Sequence, residues 1–102
     1  MSGTTRGTTP VHTFTVDLDL TNAEVVYLTY KQGSTTLIEK AKDELEITAT
    51  TLLFKLTQEE TLKLKNVRDV EIQIRARFPD GTAVASNIMD APVLRILKEG
   101  VI

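Results

Sequence analysis

The fold is decided by residues 67–98, which read VRDVEIQIRARFPDGTAVASNIMDAPVLRILK. Apolar and polar side chains alternate up to Phe78, stop at Pro79-Asp80-Gly81-Thr82, and alternate again. Strand side chains repeat every two residues, so the two sets lie on opposite faces. The sets are Val70, Ile72, Ile74, Ala76 and Phe78 against Glu71, Gln73, Arg75 and Arg77. A Pro-Asp-Gly sequence suits a tight reversal. The stretch therefore predicts a half-buried β-hairpin.

Further strand patterns cover most of the remaining chain. We expect strands at residues 11–20, 25–30, 35–40, 45–49, 51–57 and 93–98. Thr57-Gln-Glu-Glu60 has the form of a capping box and predicts one or two helical turns that cross between sheets. The spacing is typical of an immunoglobulin-like β-sandwich, all-β, with about seven or eight antiparallel strands and one short helical turn. Phe54, Ile74 and Phe78 are the positions where we expect truncation to cost most stability.

Composition limits the organisation and the functional classes. The 102 residues suffice for one domain, expected at residues 10–102, and residues 1–9 are rich in Thr and Gly and predict a flexible N-terminal arm. A net charge of -2 disfavours nucleic acid binding, and the absence of cysteine excludes disulfides and thiolate metal sites. No apolar run is long enough to span a membrane, and no secretory signal is visible, so we expect synthesis and use in a cytoplasm or release by lysis.

The chain contains no catalytic or metal-binding pattern that fits a known chemistry. His12 is the only histidine, and we interpret it as a strand residue at the margin of the core rather than a catalytic group. The sequence from Asp17 begins like a calcium-binding loop, with acidic residues at Asp17 and Asp19. Asn22 and Leu28, however, occupy the positions where that loop requires Gly and Glu. The adjacent Glu59 and Glu60 suit a helix start better than paired acid-base catalysis. We therefore expect no catalytic residues, no metal and no cofactor, and no enzyme activity.

Two surface patterns bear on partners. Five basic residues could form a patch, but the acidic residues among them favour a mixed, solvated face: Lys63, Lys65, Arg68, Arg75 and Arg77. Residues 25–30 are apolar on both faces, as in a central strand covered on two sides, and Gly100-Val101-Ile102 ends the chain with two aliphatic residues. Each of these two segments fits either burial within the domain or cover by a neighbouring subunit.

Several motifs together carry a family resemblance: RGTTPVHTF from Arg6, LTQEETL from Leu56, VEIQIR from Val70 and RILKEGVI from Arg95. From Arg6 onward the chain resembles small, mostly uncharacterised phage and prophage proteins of gut Firmicutes. It is also similar to the N-terminal immunoglobulin-like domain of phage baseplate upper proteins, where a comparable helical turn precedes the V-x-I-x-I strand. Residues 1–5 precede the usual start of that family as an extension, native or foreign.

The resemblance implies a non-enzymatic β-sandwich from a virion structural gene cluster, a tail or baseplate accessory that acts by protein–protein contact. It implies other phage structural proteins, and this chain itself, as partners, with assembly into the virion in the host cytoplasm. Nucleic acid and membrane are not expected partners. The arm before Pro10 and the end at Ile102 are the candidate docking segments. The alternative is an immunoglobulin-like binding module of a bacterial surface system.

Overall fold

Ten strands and one short helix form the protein in a computed structural model that describes residues 3–102. The strands are β1 Thr4–Thr5, β2 Val11–Thr15, β3 Val25–Gln32, β4 Thr35–Ala41, β5 Glu46–Ile47, β6 Thr51–Lys55, β7 Val70–Arg77, β8 Ala83–Ala85, β9 Met89–Ala91 and β10 Val93–Leu94. The helix α1 spans Gln58–Leu62. The predicted all-β sandwich is confirmed. There are more strands than the expected seven or eight because several are only two or three residues long.

The strands form two main sheets and one small pair. The small sheet has the order β2-β6-β5, and the large sheet has the order β4-β3-β7-β8, with β9 also paired to β7. This is the immunoglobulin arrangement. In the usual lettering of that fold, β2, β6 and β5 occupy the places of strands B, E and D, and β3 and β7 occupy those of the central strands C and F of the opposing sheet. β8 and β9 pair with opposite ends of β7 and act as one interrupted final strand. β1 and β10 form a parallel pair, so the expectation of purely antiparallel strands is wrong at this point.

The predicted capping box starts α1 and turns the chain from the small sheet to the large one. The Glu60 amide donates to Thr57 Oγ1 at 3.2 Å, and the Thr57 amide donates to Glu60 Oε1 at 2.9 Å. These two bonds satisfy backbone donors that a helix start otherwise leaves free. Glu60 and Thr61 are buried by this turn.

The decisive hairpin has the predicted turn but a shorter second strand. Asp80 Oδ1 accepts from the Thr82 amide at 2.9 Å, and Gly81 has the positive φ of 90° that its position requires. The expected strand at residues 93–98 ends at Leu94. The strand expected at residues 11–20 ends at Thr15, because the chain passes into a short 3-10 turn at Leu20–Asn22.

The core lies between the two main sheets. Alternate side chains from both are fully buried, including Val26, Leu28, Tyr30, Leu52, Leu56, Val70 and Ile72. Phe54 and Ile74 are each 5% exposed, as expected of core residues. Phe78 is only partly buried, since it follows the end of β7 where the chain enters the turn. No helix in residues 3–102 has the length and apolar character needed to span a membrane.

The N-terminal segment lies against the sandwich. The Thr4 amide donates to the Pro92 carbonyl at 2.9 Å, and the Arg6 amide donates to the Leu94 carbonyl at 3.0 Å. This placement differs from the expected arm. The prediction of an arm rests on composition, which reflects only how much apolar surface a segment can bury. Here the segment is held instead by backbone hydrogen bonds to the edge of β10. Residues 1–2 of the expected arm lie outside the described residues.

Candidate functional site

His12 connects all three groups of strands. It lies on β2 and is 7% exposed. Its Nε2 is 3.0 Å from Thr4 Oγ1 on β1, and its Nδ1 is 2.6 Å from the phenolic oxygen of Tyr30 on β3. The His12 and Tyr30 rings are stacked, with centroids 5.8 Å apart. One side chain therefore joins the small sheet, the large sheet and the β1–β10 pair, and we call Thr4, His12 and Tyr30 the polar joint.

Burial determines the protonation of the polar joint. Desolvation lowers the pKa of His12, and desolvation together with the Glu60 carboxylate raises the pKa of Tyr30 well above its usual value. A neutral imidazole has one donor and one acceptor nitrogen, and a hydroxyl can serve either. Two neutral hydroxyls therefore satisfy both nitrogens in either tautomer. A protonated ring would instead force both hydroxyls to accept.

The geometry of the polar joint is that of an enclosed cross-link. A general base must reach a proton of its substrate within about 3 Å or through one water. His12 has both nitrogens engaged, and Tyr30 is 0% exposed. β1 covers Nε2 through Thr4. A substrate would reach this ring only after β1 had moved away, so the closed structure supports a stabilising role for the joint.

An ionic cluster lies beside the polar joint. Lys40 Nζ is 2.9 Å from Glu60 and 3.3 Å from Glu44, and it lies 5.9 Å from the ring centroid of Phe54. Burial by itself would raise the pKa of Glu60, but hydrogen bonds from Lys40 and Thr57 outweigh it and lower the pKa. Glu60 therefore remains ionised at neutral pH and holds Lys40 against the core.

The carboxylates considered as site residues have local structural contacts. Asp19 Oδ1 accepts from the Thr21 hydroxyl at 2.5 Å and from the Thr21 amide at 2.9 Å, and these bonds lower the pKa of Asp19. Asp17 is exposed. Glu60 caps α1, whereas Glu59 is exposed in its first turn. Among residues 3–102, no three His, Asp or Glu side chains are grouped so that they could hold a metal ion.

The outer face of the large sheet is open and mixed in charge. A depression of about 330 Å³ crosses β3 and β7, lined by Thr29, Lys31, Gly33, Glu71, Ile72, Gln73, Arg75 and Ile88. Glu71, Arg75 and Arg77 are exposed on this strand face, as the alternation predicts. Arg77 lies 3.7 Å from Glu24, and both are more than half exposed. Lys63, Lys65 and Arg68 lie on the segment between α1 and β7, and the Arg68 guanidinium lies beside Gly33 at the margin of this depression.

Within the single chain, residues 25–30 are packed on one face only, and cover of the other face by a neighbouring subunit stays a prediction. β3 is central in its sheet, with β4 and β7 on its two sides, and Val26, Leu28 and Tyr30 are buried. Tyr27 points to the other face and is 44% exposed. The apolar run thus reflects a central strand with one packed face, and its outer face is uncovered in the single chain.

The C-terminal segment is anchored by its backbone and exposes its aliphatic side chains. The Ile102 amide donates to Gln58 Oε1 at 2.9 Å, and Gln58 Nε2 donates to the Ile102 carbonyl at 3.2 Å. Arg6 pairs with Glu99 at 2.9 Å. The exposed fractions are 51% for Leu94, 90% for Leu97, 54% for Val101 and 89% for Ile102. We call these four residues the terminal apolar set.

Two contacts of the N-terminal segment escaped the sequence reasoning. Thr4 and Arg6 stand in a Thr-rich stretch with no strand periodicity, so no local pattern indicates their partners. The inward phase of His12 in β2 is visible in the alternation and correctly places this side chain toward the core. A buried imidazole needs hydrogen-bond partners, but the sequence does not say which hydroxyls provide them.

These features define an all-β, immunoglobulin-like sandwich with a polar joint between its sheets and an exposed apolar segment after its last strand. Neither models of known protein families nor curated protein sequences give a match to this chain.

Proposed function

We propose that this chain is a non-enzymatic structural or assembly protein of a phage or prophage, a tail or baseplate accessory that acts by protein–protein contact. The family resemblance from Arg6 onward supports the proposal. The placement of its motifs is compatible with this: LTQEETL includes the capped turn α1, and VEIQIR is the start of β7. The proposed place of action is the virion, assembled in the host cytoplasm, with other phage structural proteins as partners.

The observation that carries the proposal is the terminal apolar set. Leu97 and Ile102 are about nine-tenths exposed, on a segment held by Gln58 and Arg6. Exposed apolar side chains on an anchored segment suit contact with another protein, because their burial is favourable and little chain entropy is left to lose. The segment includes Ile102, a candidate docking position named from the sequence, and its docking stays a prediction.

The test is co-purification of the tagged chain with the products of the genes encoded beside it, among which the proposal expects tail or baseplate proteins. We expect at least one to bind, and we expect Leu97→Ser combined with Ile102→Ser to weaken that binding at least tenfold. Leu18→Ser is the matched control, since Leu18 is an exposed aliphatic residue, 49% exposed, that precedes the 3-10 turn at Leu20–Asn22. Absence of binding to any of these products, or equal binding by all variants, would contradict the proposal. Recovery of the native chain at the surface of uninfected cells would favour the bacterial surface alternative.

A further inference from the structure

The outer edge of β2 is the least protected sheet edge within residues 3–102. β2 ends the order of the small sheet and pairs only with β6 among the strands of residues 3–102. Pro10 accepts from the Leu56 amide, and the Val16 amide donates to Thr50, so even-numbered residues face β6. Backbone bonding alternates along an antiparallel strand. The N–H and C=O groups of Val11, Thr13 and Thr15 therefore point away from β6, toward solvent.

The side chains of this edge do not discourage pairing. Proteins protect sheet edges with charged residues, bulges or very short strands. β4 carries Glu39 and Lys40 and faces a register shift in β3, and β5 and β8 have two and three residues. β2 has five residues, no charge and no bulge, and its outward side chains Val11, Thr13 and Thr15 are exposed.

We infer that β2 pairs antiparallel with β2 of a second copy of this chain, about a twofold axis at Thr13. In this register Thr13 faces Thr13 of the partner subunit, and Val11 faces Thr15 of the partner subunit. Each of these pairs exchanges two backbone bonds, so all the open groups of the edge find partners. The two small sheets then form one continuous sheet, in the manner of strand addition at an exposed edge.

A second copy is the occupant because the edge is complementary to itself. Lys55 on β6 flanks the Val11 end of β2, and the exposed Asp17 follows the Thr15 end. Antiparallel pairing brings the acidic end of one copy to the basic end of the other, whereas parallel pairing would align like charges. The interface is short, so we expect a weak dimer with a dissociation constant between about 10 µM and 1 mM. This inference is independent of the proposed phage partners.

Cysteine cross-linking tests the register, because the chain contains no other thiol. Residues of a hydrogen-bonded antiparallel pair have Cα atoms about 5.5 Å apart, within the range that a disulfide spans. We expect Thr13→Cys to form a covalent dimer under mild oxidation. We expect Val11→Cys and Thr15→Cys to cross-link when mixed but not separately. Thr51→Cys is the control, since Thr51 lies opposite Thr15 on the inner strand β6.

Sedimentation measures the association without any cross-link. We expect the wild-type chain to dimerise across about 10 µM to 1 mM and Thr13→Lys to remain monomeric, because it places two like charges face to face. Thr13→Lys should keep a cooperative melting transition. Thr51→Lys also removes the hydroxyl contact of Thr51 to Thr48 at 2.6 Å and should melt lower, yet it should still dimerise. A monomeric wild type throughout this range, or Thr13→Cys no faster than Thr51→Cys, would overturn the inference. So would self-linking of Thr15→Cys as fast as Thr13→Cys. Each of these results leaves the co-purification test of the proposed function unaffected.

Discussion

His12 is a titratable group that the fold holds in its neutral form. Its two nitrogens contact the hydroxyls of Thr4 and Tyr30, and its pKa is lowered by burial. Protonation would add a charge to the interior and leave the hydroxyl that donates to the neutral ring without its acceptor. The residue therefore links the packing of three groups of strands to the pH of the solution.

We expect acidification to weaken the fold through His12. Between its lowered folded pKa and its ordinary value near 6.5, the unfolded chain binds more protons, so stability is complete above about pH 6.5 and falls as the pH decreases through this window. Urea unfolding at pH 7.5, 6.5 and 5.5 measures the effect. His12→Gln, whose amide can both donate and accept, should have a flatter profile. If the free energy of unfolding fell equally with decreasing pH in the wild type and in His12→Gln, the role of His12 in this pH dependence would be contradicted.

Core truncation should separate Phe54 from Phe78. Phe54 is 5% exposed and contacts the Tyr30 ring edge-on at 6.2 Å, so Phe54→Ala should cost about 3–5 kcal/mol by leaving a cavity. Phe78 is only partly buried, and we expect Phe78→Ala to cost about 1–2 kcal/mol. Ile74→Ala should resemble the first case, at about 2–5 kcal/mol. Urea unfolding measures these losses from the shift in midpoint, provided that the dependence of the unfolding free energy on urea concentration is unchanged. Equal losses for Phe54→Ala and Phe78→Ala would contradict the greater burial of Phe54.

At the scale of elements, β1 depends on the side chain that follows it. Arg6 Nε donates to the Leu64 carbonyl at 2.8 Å, two residues past α1, and Nη2 donates to the carbonyl of Leu62, the last residue of α1, at 3.2 Å. Its pair with Glu99 is exposed on the acidic side, at 61%. The two carbonyl contacts are partly buried, so they should contribute more than the ion pair.

We expect Arg6→Ala to destabilise the protein by about 2–3 kcal/mol, because two carbonyls lose a charged donor. Glu99→Ala removes only the exposed pair and should change stability by less than about 0.5 kcal/mol. Thermal unfolding measures both. Limited proteolysis should cut Arg6→Ala within residues 1–9 earlier than the wild type. Equal effects of the two substitutions would show that the carbonyl contacts contribute little.

The elements also show how far the sequence leads. A period-2 pattern located β7, a run apolar on both faces located β3, and turn residues located the reversal at residues 79–82, because those signals are local. The capping box located α1 for the same reason. The pairing of β1 with β10 and the contact from Thr4 to His12 depend on residues far apart in the chain, and no local pattern encodes them. The sequence could suggest an inward His12 but not the polar joint.

At the scale of the whole molecule, the two ends of the chain complete the sandwich together. β1 pairs with β10, Arg6 binds Glu99, and Gln58 binds Ile102. Thr4 also reaches across to His12 and so connects this edge to the space between the main sheets. The sandwich should therefore unfold as one cooperative unit that includes its N-terminal strand.

Removal of residues 2–7 tests this cooperation. The deletion takes away β1 and the contacts of Arg6, opens the edge of β10 and uncovers Nε2 of His12, so we expect a larger loss than for Arg6→Ala, at least about 4 kcal/mol or roughly 15 °C in melting temperature. The near-UV signal of the buried Tyr30 and the far-UV signal of the strands should shift together. Deletion of residues 101–102 is the control, because it removes exposed side chains and the contact to Gln58, and we expect a shift below about 3 °C. A chain lacking residues 2–7 that melts with the full-length protein would contradict the role of β1 in the fold.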